Sequence, residues 1–308
     1  MSARGAKRWD VLGVGQCALD EVARVDESPA RGEKARMRER VALPGGQIAT
    51  ATLACARLGH SAALVSSTGD DAAAEIVLAP LRAARVDVSR VHRVAGARTQ
   101  GAWIWVDARG ERTVLWERDA KLSLPQDAVA REEVAASRVV LLDAGDLSLA
   151  LRVAALAREA EIPCVLDADT PAPGIEALLV QASHPVISEG LAQGLFGSPE
   201  RAVRELARGG ARLPVVTRGS AGAVAWLRGE VVETPAFEIA AVDTTGAGDA
   251  FHAGVAHALL SGLAGEEMLR TAHALAACAC LALGAQGGLP DAARLREFLA
   301  TTPLRPLR

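Results

Sequence analysis

Short runs of alternating apolar residues and longer runs with helical spacing succeed one another along this chain. Period-two alternation marks strands, and a recurrence every three or four residues marks amphipathic helices. The pattern predicts a strand over 10–14, a second strand carrying Asp20, and a charged edge strand over 34–43. Pro44-Gly45-Gly46 breaks that strand and opens an Ala-rich helix over 47–58, closed by Gly59. A strand over 62–66, a helix over 72–84 and a further strand after 86–91 come next. Residues 98–118 read as a hairpin, with strands over 101–106 and 113–116 and a turn over 107–110. It carries Trp103, Trp105 and Trp116, the first two on one face by alternation.

From residue 139 the chain settles into strand–helix alternation. Strands are expected over 139–142, 163–166, 185–187 and 213–217, and helices over 149–161, 175–181 and 198–207. An alternating, strand-like run over 236–242 follows, then a helix from Phe251, a small-residue helix over 272–285 and a frayed tail over 303–308. Such alternation predicts an α/β fold with a mainly parallel sheet and helices on both faces. Ligands then gather at the carboxyl ends of the strands, where Asp143, Asp167, Glu189 and Thr217 fall. The strand of Asp20, the charged strand and the hairpin stand apart from this alternation and form a small second sheet.

The densest chemistry lies in Asp243-Thr244-Thr245-Gly246-Ala247-Gly248-Asp249-Ala250-Phe251. A strand-like run precedes it, and Phe251, Val255, Leu259 and Leu260 continue it with helical spacing. Gly246 to Gly248 therefore sit where a helix begins, and its first N–H groups have no intrahelical partner. Glycine lets a ligand approach such backbone closely, and the helix dipole favours an anion there. Asp249 stands one step inside this anion site, where it should stay ionised and can take a proton from a hydroxyl attacking a phosphate. Taken alone, the same residues also fit a capped helix start with turn glycines.

Composition narrows the function. The chain has 308 residues, half of them hydrophobic, and a net charge of −3, with no basic face for nucleic acid. Its five cysteines, Cys17, Cys55, Cys164, Cys278 and Cys280, form no C-x-x-C and lie among apolar residues, which indicates buried reduced thiols. No apolar run is long enough to span a bilayer, and residues 1–10 are polar and basic, so a cytoplasmic protein is expected. Residues 13–18 match G-x-G-x-x-A, but the run that follows alternates like a strand, where a dinucleotide site requires a helix. No Walker A sequence and no G-x-S-x-G occur.

The nine-residue stretch from Asp243 to Phe251 resembles, without mismatch, the signature of the ribokinase-like (PfkB) carbohydrate kinases. Gly45-Gly46 before a helix, Gly69-Asp70-Asp71 and Thr217-Arg218-Gly219-Ser220-Ala221-Gly222 resemble further motifs of that family, so the resemblance covers about residues 10–295. It implies one ribokinase-like domain over 1–308, a three-layer sandwich with a small β-sheet lid from about 18–43 and 98–118. It implies ATP-dependent phosphorylation of a sugar hydroxyl, with Asp249 as base and the amides of Gly246, Ala247 and Gly248 as anion hole. Asp20, Gly45, Gly46, Gln47, Thr50 and Arg118 would meet the sugar. Thr217, Gly219, Gly222, Gly284 and Gly287 would line ATP. Glu189 would serve magnesium through water, and the position of Asp243 often holds potassium in the family. The lid also serves the family as a dimer surface.

The chain departs from the family at two places. Thr50 replaces an Asn after the Gly-Gly turn, and Ser188-Glu189-Gly190-Leu191 replaces Asn-x-x-Glu; the chain has no Asn at all. Two alternatives share the scaffold: a nucleoside kinase stacking its substrate on Trp103 and Trp105, and a sensor that binds sugar and nucleotide without turnover.

Overall fold

A computed structural model describes residues 7–307; the first six residues of the polar N-terminal stretch and the last residue of the tail lie outside it. The main sheet takes β1 (Trp9–Val14), β4 (Ala62–Gly69), β5 (Asp87–Val94), β8 (Ser137–Asp143), β9 (Cys164–Ala168), β10 (His184–Ser188), β11 (Val215–Thr217), β12 (Ala223–Leu227) and β13 (Glu230–Thr234). A small sheet takes β2 (Ala18–Arg24), β3 (Glu39–Gly45), β6 (Gly101–Val106) and β7 (Arg112–Glu117). The helices are α1 (Gln47–Arg57), α2 (Ala72–Ala83), α3 (Arg131–Ala135), α4 (Leu147–Glu159), α5 (Ile175–Gln181), α6 (Glu189–Phe196), α7 (Pro199–Arg208), α8 (Ala247–Leu260), α9 (Gly265–Ala279) and α10 (Ala292–Thr301). None is long and apolar enough to cross a membrane.

The main sheet runs β13-β12-β11-β10-β9-β8-β1-β4-β5, parallel from β11 to β5 and antiparallel at the β12–β13 edge. Alternation splits its side chains between two cores. Val11, Val139, Leu141, Val165, Val186 and Val215 face the layer of α1, α8 and α9. Leu12, Val140, Leu142, Leu166, Ile187 and Val216 face the layer of α4, α5 and α7. Burial on both faces is why these strands read as continuous apolar runs. The chain leaves β1 toward β4 on one side and returns through β8 on the other. The crevice of this switch point opens at the carboxyl ends of β1 and β8, the place where such sheets bind ligands.

Several elements differ from the sequence expectation. Residues 236–242 form no strand; Phe237 makes a single bridge to Leu304. That bridge, with Glu238 N to Pro303 O and Arg305 N to Ala236 O, pins the tail expected to fray. The small-residue helix begins at Gly265 and ends at Ala279, so 280–285 are turns. Its small side chains serve close packing on α8: a Cβ on Gly254 would lie 2.4 Å from Ala272 Cα. The β12–β13 hairpin, turned at Arg228-Gly229, was not anticipated. In the small sheet, β3 continues through Pro44 to Gly45, pairing Leu19 with Pro44 and Ala18 with Gly45. Proline is tolerated because β3 is an edge strand.

The small sheet runs β3-β2-β6-β7. Its registers align Leu43, Asp20, Ala102 and Trp116 in one row across all four strands. The neighbouring row is Ala42, Glu21, Trp103 and Leu115. Side chains alternate faces from row to row. The Asp20 row therefore shares its face with Val22, Ile104 and Val106, a small core packed with Leu283. That face meets the main domain: Arg112 donates to Thr244 Oγ1 and Thr244 N to Gly110 O. Trp103 and Leu115 point away, 51% and 57% exposed.

Candidate active site

Gly246 is the N-cap of α8 and takes φ 78°, a left-handed conformation natural to glycine. A Cβ there would lie 2.6 Å from Ala285 Cα, so the 284–287 loop packs directly on the turn. Asp243, fully buried, ties the two segments together. Its Oδ1 accepts from Thr245 N and its Oδ2 from Gly284 N, both at 2.8 Å. The same loop reaches the lid, since a Cβ on Gly284 would lie 2.4 Å from Leu43 Cδ1. Gly287 closes tightly on Leu283 O.

The amides of Gly246, Gly248 and Asp249 have no partner among the described residues. The amide of Ala247 is spent, at 3.3 Å from Thr244 O, which corrects the expectation that it joins an anion hole. A Cβ on Gly248 would meet nothing within 4 Å, so these amides open onto free space. Asp249 follows, partly exposed. Burial in its surroundings and the nearby Asp167 raise its pKa well above the usual carboxylate value; His252 and Arg112 oppose them. The carboxyl thus holds its proton more tightly than the helix N-terminus alone led one to expect.

On the inner face of the small sheet, Asp20 is 4% exposed, and no side chain or amide among the described residues hydrogen-bonds its carboxylate. Burial, then the charge of Asp243, pushes its pKa up to about 7. Gly45 makes room for it, because a Cβ there would lie 2.0 Å from Asp20 Oδ2. Gly46, with φ 91°, caps α1, and Gln47 begins the helix beside it, partly exposed. Thr50 does not reach this space. It is fully buried, and its Oγ1 accepts from Gln286 Nε2 at 3.3 Å, so it braces α1 against the 284–287 loop. Arg118 is likewise committed elsewhere: its guanidinium pairs with both oxygens of Asp146 and donates to Gly145 O and Leu122 O. The expectation that Thr50 and Arg118 meet substrate is not carried further. Trp103 and Trp105 share the outer face, so neither can stack a ligand beside Asp20; Trp116, 65% exposed, lies in the row of Asp20.

Along the strand ends, Thr217 closes β11 and bonds Ile187 O at 3.4 Å. Gly219 and Gly222 turn the chain with φ 56° and 89°, and a Cβ on Gly222 would strike Thr234 O at 2.0 Å. Glu189 is exposed at the first position of α6, behind the Ser188 cap. Asp143 accepts from Gln16 N and Gly145 N; burial lifts its pKa to about 6. Asp71 ties the start of α2 to Thr99 and so to the approach of β6. Sequence reasoning missed Gln16 and Gln100, bonded to each other, and Arg112 and His252. Only the three-residue spacing of Asp249 and His252 on one helix signalled any of them.

No cluster of three or more His, Cys, Asp or Glu residues suited to a metal occurs among the described residues. A solitary exposed Glu189 fits magnesium that arrives on nucleotide phosphates and keeps its waters. Asp243 is a different case, a buried carboxylate with two amide donors and no cationic side chain against it.

Residues 10–292 match the model of the pfkB family carbohydrate kinases. The chain belongs to that family. It is a phosphotransferase with an alcohol group as acceptor. The ribokinase of Bacillus subtilis (strain 168) is 30% identical over 291 residues, covering 93% of this chain and 98% of that one. A nucleoside kinase of Methanothermobacter thermautotrophicus is 26% identical over 96% of this chain and 98% of its own. The structure of Arabidopsis thaliana ribokinase complexed with ribose and ATP superposes with a TM-score of 0.79 at 26% identity, covering 96% and 99% of the two chains.

The raised pKa of Asp20 has a consequence for stability. Folding is helped by its protonation, and this help is lost as pH rises through about 7. Asp20→Asn, which cannot ionise, should be more stable than the parent chain at about pH 8, on the order of a few kcal/mol in urea melts. The gap should close below about pH 4. A gap independent of pH would rule out the strained carboxylate.

Proposed function

We propose that this kinase transfers the γ-phosphoryl group of ATP to a hydroxyl of a neutral sugar held under the small sheet. The observation that carries the reading is the pairing of unpartnered amides at the start of α8 with two proton-hungry carboxylates, Asp249 beside them and Asp20 under the lid. Asp20, buried and without a donor, takes the hydrogen bonds of sugar hydroxyls, which restore what burial removed. Gly45 and Gly46 let the sugar approach the start of α1, and Gln47 contributes the amide that the chain lacks at Thr50.

Asp249 accepts the proton of the attacking hydroxyl. The hydroxyl oxygen bonds to the γ-phosphorus, and the bond from phosphorus to the β–γ bridging oxygen breaks, releasing ADP. The amides of Gly246, Gly248 and Asp249 hold the charge of the group in transit, where positioning and electrostatics provide most of the rate. Thr217, Gly219 and Gly222 line the remaining phosphates, and Gly284 and Gly287 shape the loop beside the purine. Glu189 is the residue that would hold magnesium through water, and the ion, arriving with ATP, would supply positive charge at the phosphates.

A phosphorylated sugar fits less well. The lid arginines Arg38 and Arg40 pair with Asp26 and Glu21, and Arg40 also stacks on Trp103 of the outer face. That outer face, with Trp103 and Leu115, suits a second copy of the chain.

Asp249→Asn should lower kcat by at least about a hundredfold while ATP still binds; near-normal ADP release with a sugar panel would reject the base. Trp116→Ala should raise KM for the acceptor several-fold. Trp103→Glu should leave that KM alone and shift sedimentation from dimer to monomer. A lower acceptor affinity in the Trp103 variant alone would invert the two faces. A cation at Asp243 predicts faster turnover in potassium than in a bulky organic cation at equal ionic strength, and equal rates would remove it.

A further inference from the structure

His252 lies one helical turn beyond Gly248 on α8 and is 4% exposed. Its Nδ1 is 2.6 Å from Gly248 O and 3.3 Å from Asp167 Oδ2. Its Nε2 is 3.1 Å from Val186 O. All three neighbours are oxygens that accept. A neutral imidazole has one N–H and one lone pair. In either neutral tautomer beside an ionised Asp167, a ring lone pair faces an oxygen that has nothing to donate. One more proton, on the second ring nitrogen, resolves this, and the ionised Asp167 carboxylate then balances its charge.

Burial favours the same count of protons. It disfavours a charge on the ring, lowering the His252 pKa, and disfavours charge on Asp167, raising its pKa. The charged groups around the pair are Asp169 beyond β9, Asp143 at the end of β8, Asp249 on α8 itself and Arg112 of the lid. From α1, Cys55 reaches Ala253 O with a thiol that burial keeps protonated, its pKa raised to about 12. From β10 comes only the carbonyl of Val186.

We propose that Asp167 and His252 hold a single proton between them, and that this buried couple, neutral overall, spares Asp249 a second negative charge and so keeps it able to accept the hydroxyl proton near neutral pH. The inference rests on Asp249 being the base of the transfer. Neither Asp167 nor His252 touches a reacting atom; both are positioning residues that act through Asp249. Without His252, Asp167 becomes a lone carboxylate beside the base, and a like charge disfavours ionisation. Without both, the neutral surroundings return.

The test is the acid limb of kcat against pH, measured by ADP release. In His252→Gln the limb should move up by roughly one pH unit, with the high-pH plateau little changed. Adding Asp167→Asn should bring the limb back toward the parent position. A merely structural His252 would lower the plateau and Tm at every pH and leave the limb in place, which would overturn the couple. So would a double variant whose limb stays displaced. The parent protein offers a second measurement that needs no turnover. Its His252 ring nitrogens should show no ordinary imidazole titration by NMR between about pH 5.5 and 8. A ring titrating there like a free histidine would overturn the couple. A non-titrating ring in a protein with no kinase turnover would uphold the couple and overturn the kinase reading instead.

Discussion

Backbone amides left unpaired at the start of a helix carry partial positive charge and must face water or an anion. In this chain the start of α8 is placed at the strand ends of the main sheet, and the surrounding structure follows from that. Gly246 must turn left-handed to aim the amides outward, and the 284–287 loop must pack against it without side chains in the way. Asp243 fastens the loop to the turn through two amides, so the turn is tied at two points although it is built mostly from irregular backbone. Gly254 then lets α9 come close enough to hold α8 in place.

The same strand ends gather carboxylates. Asp20, Asp143, Asp167 and Asp249 are all pushed toward protonation, by burial above all. Mutual repulsion of this kind destabilises the empty protein, and such perturbation clusters where function needs it. The groups differ in how they are relieved. Asp143 is satisfied by amides just beyond β1 and β8 and ties the two strand ends together. Asp167 has a histidine beside it. Asp20 has no donor of its own, which sets it apart from Asp143 and Asp167.

The small sheet separates two tasks by the parity of its side chains. One face carries Asp20, a compact apolar core and Trp116 toward the main domain. The other carries Trp103 and Leu115 toward solvent. A shift of register by one residue would exchange these sets, so the pairing of Asp20 with Ala102, and of Ala102 with Trp116, decides what the lid presents.

The layers, the strand–helix order and the glycine-rich start of α8 could all be read from local sequence, because periodicity and glycine chemistry are local properties. The run from Asp243 to Phe251 was legible for that reason. Tertiary structure decided everything that depends on what lies opposite a side chain. It turned Thr50 and Arg118 inward to structural partners, took the Ala247 amide, and put Trp116, not Trp103 or Trp105, on the sheet face of Asp20. It also brought Asp167 to His252 and Asp249, 85 and 82 positions further along the chain, as neighbours on one strand end and one helix start. Residues so far apart in sequence interact only once the sheet has ordered its strands, and no local pattern carries that information.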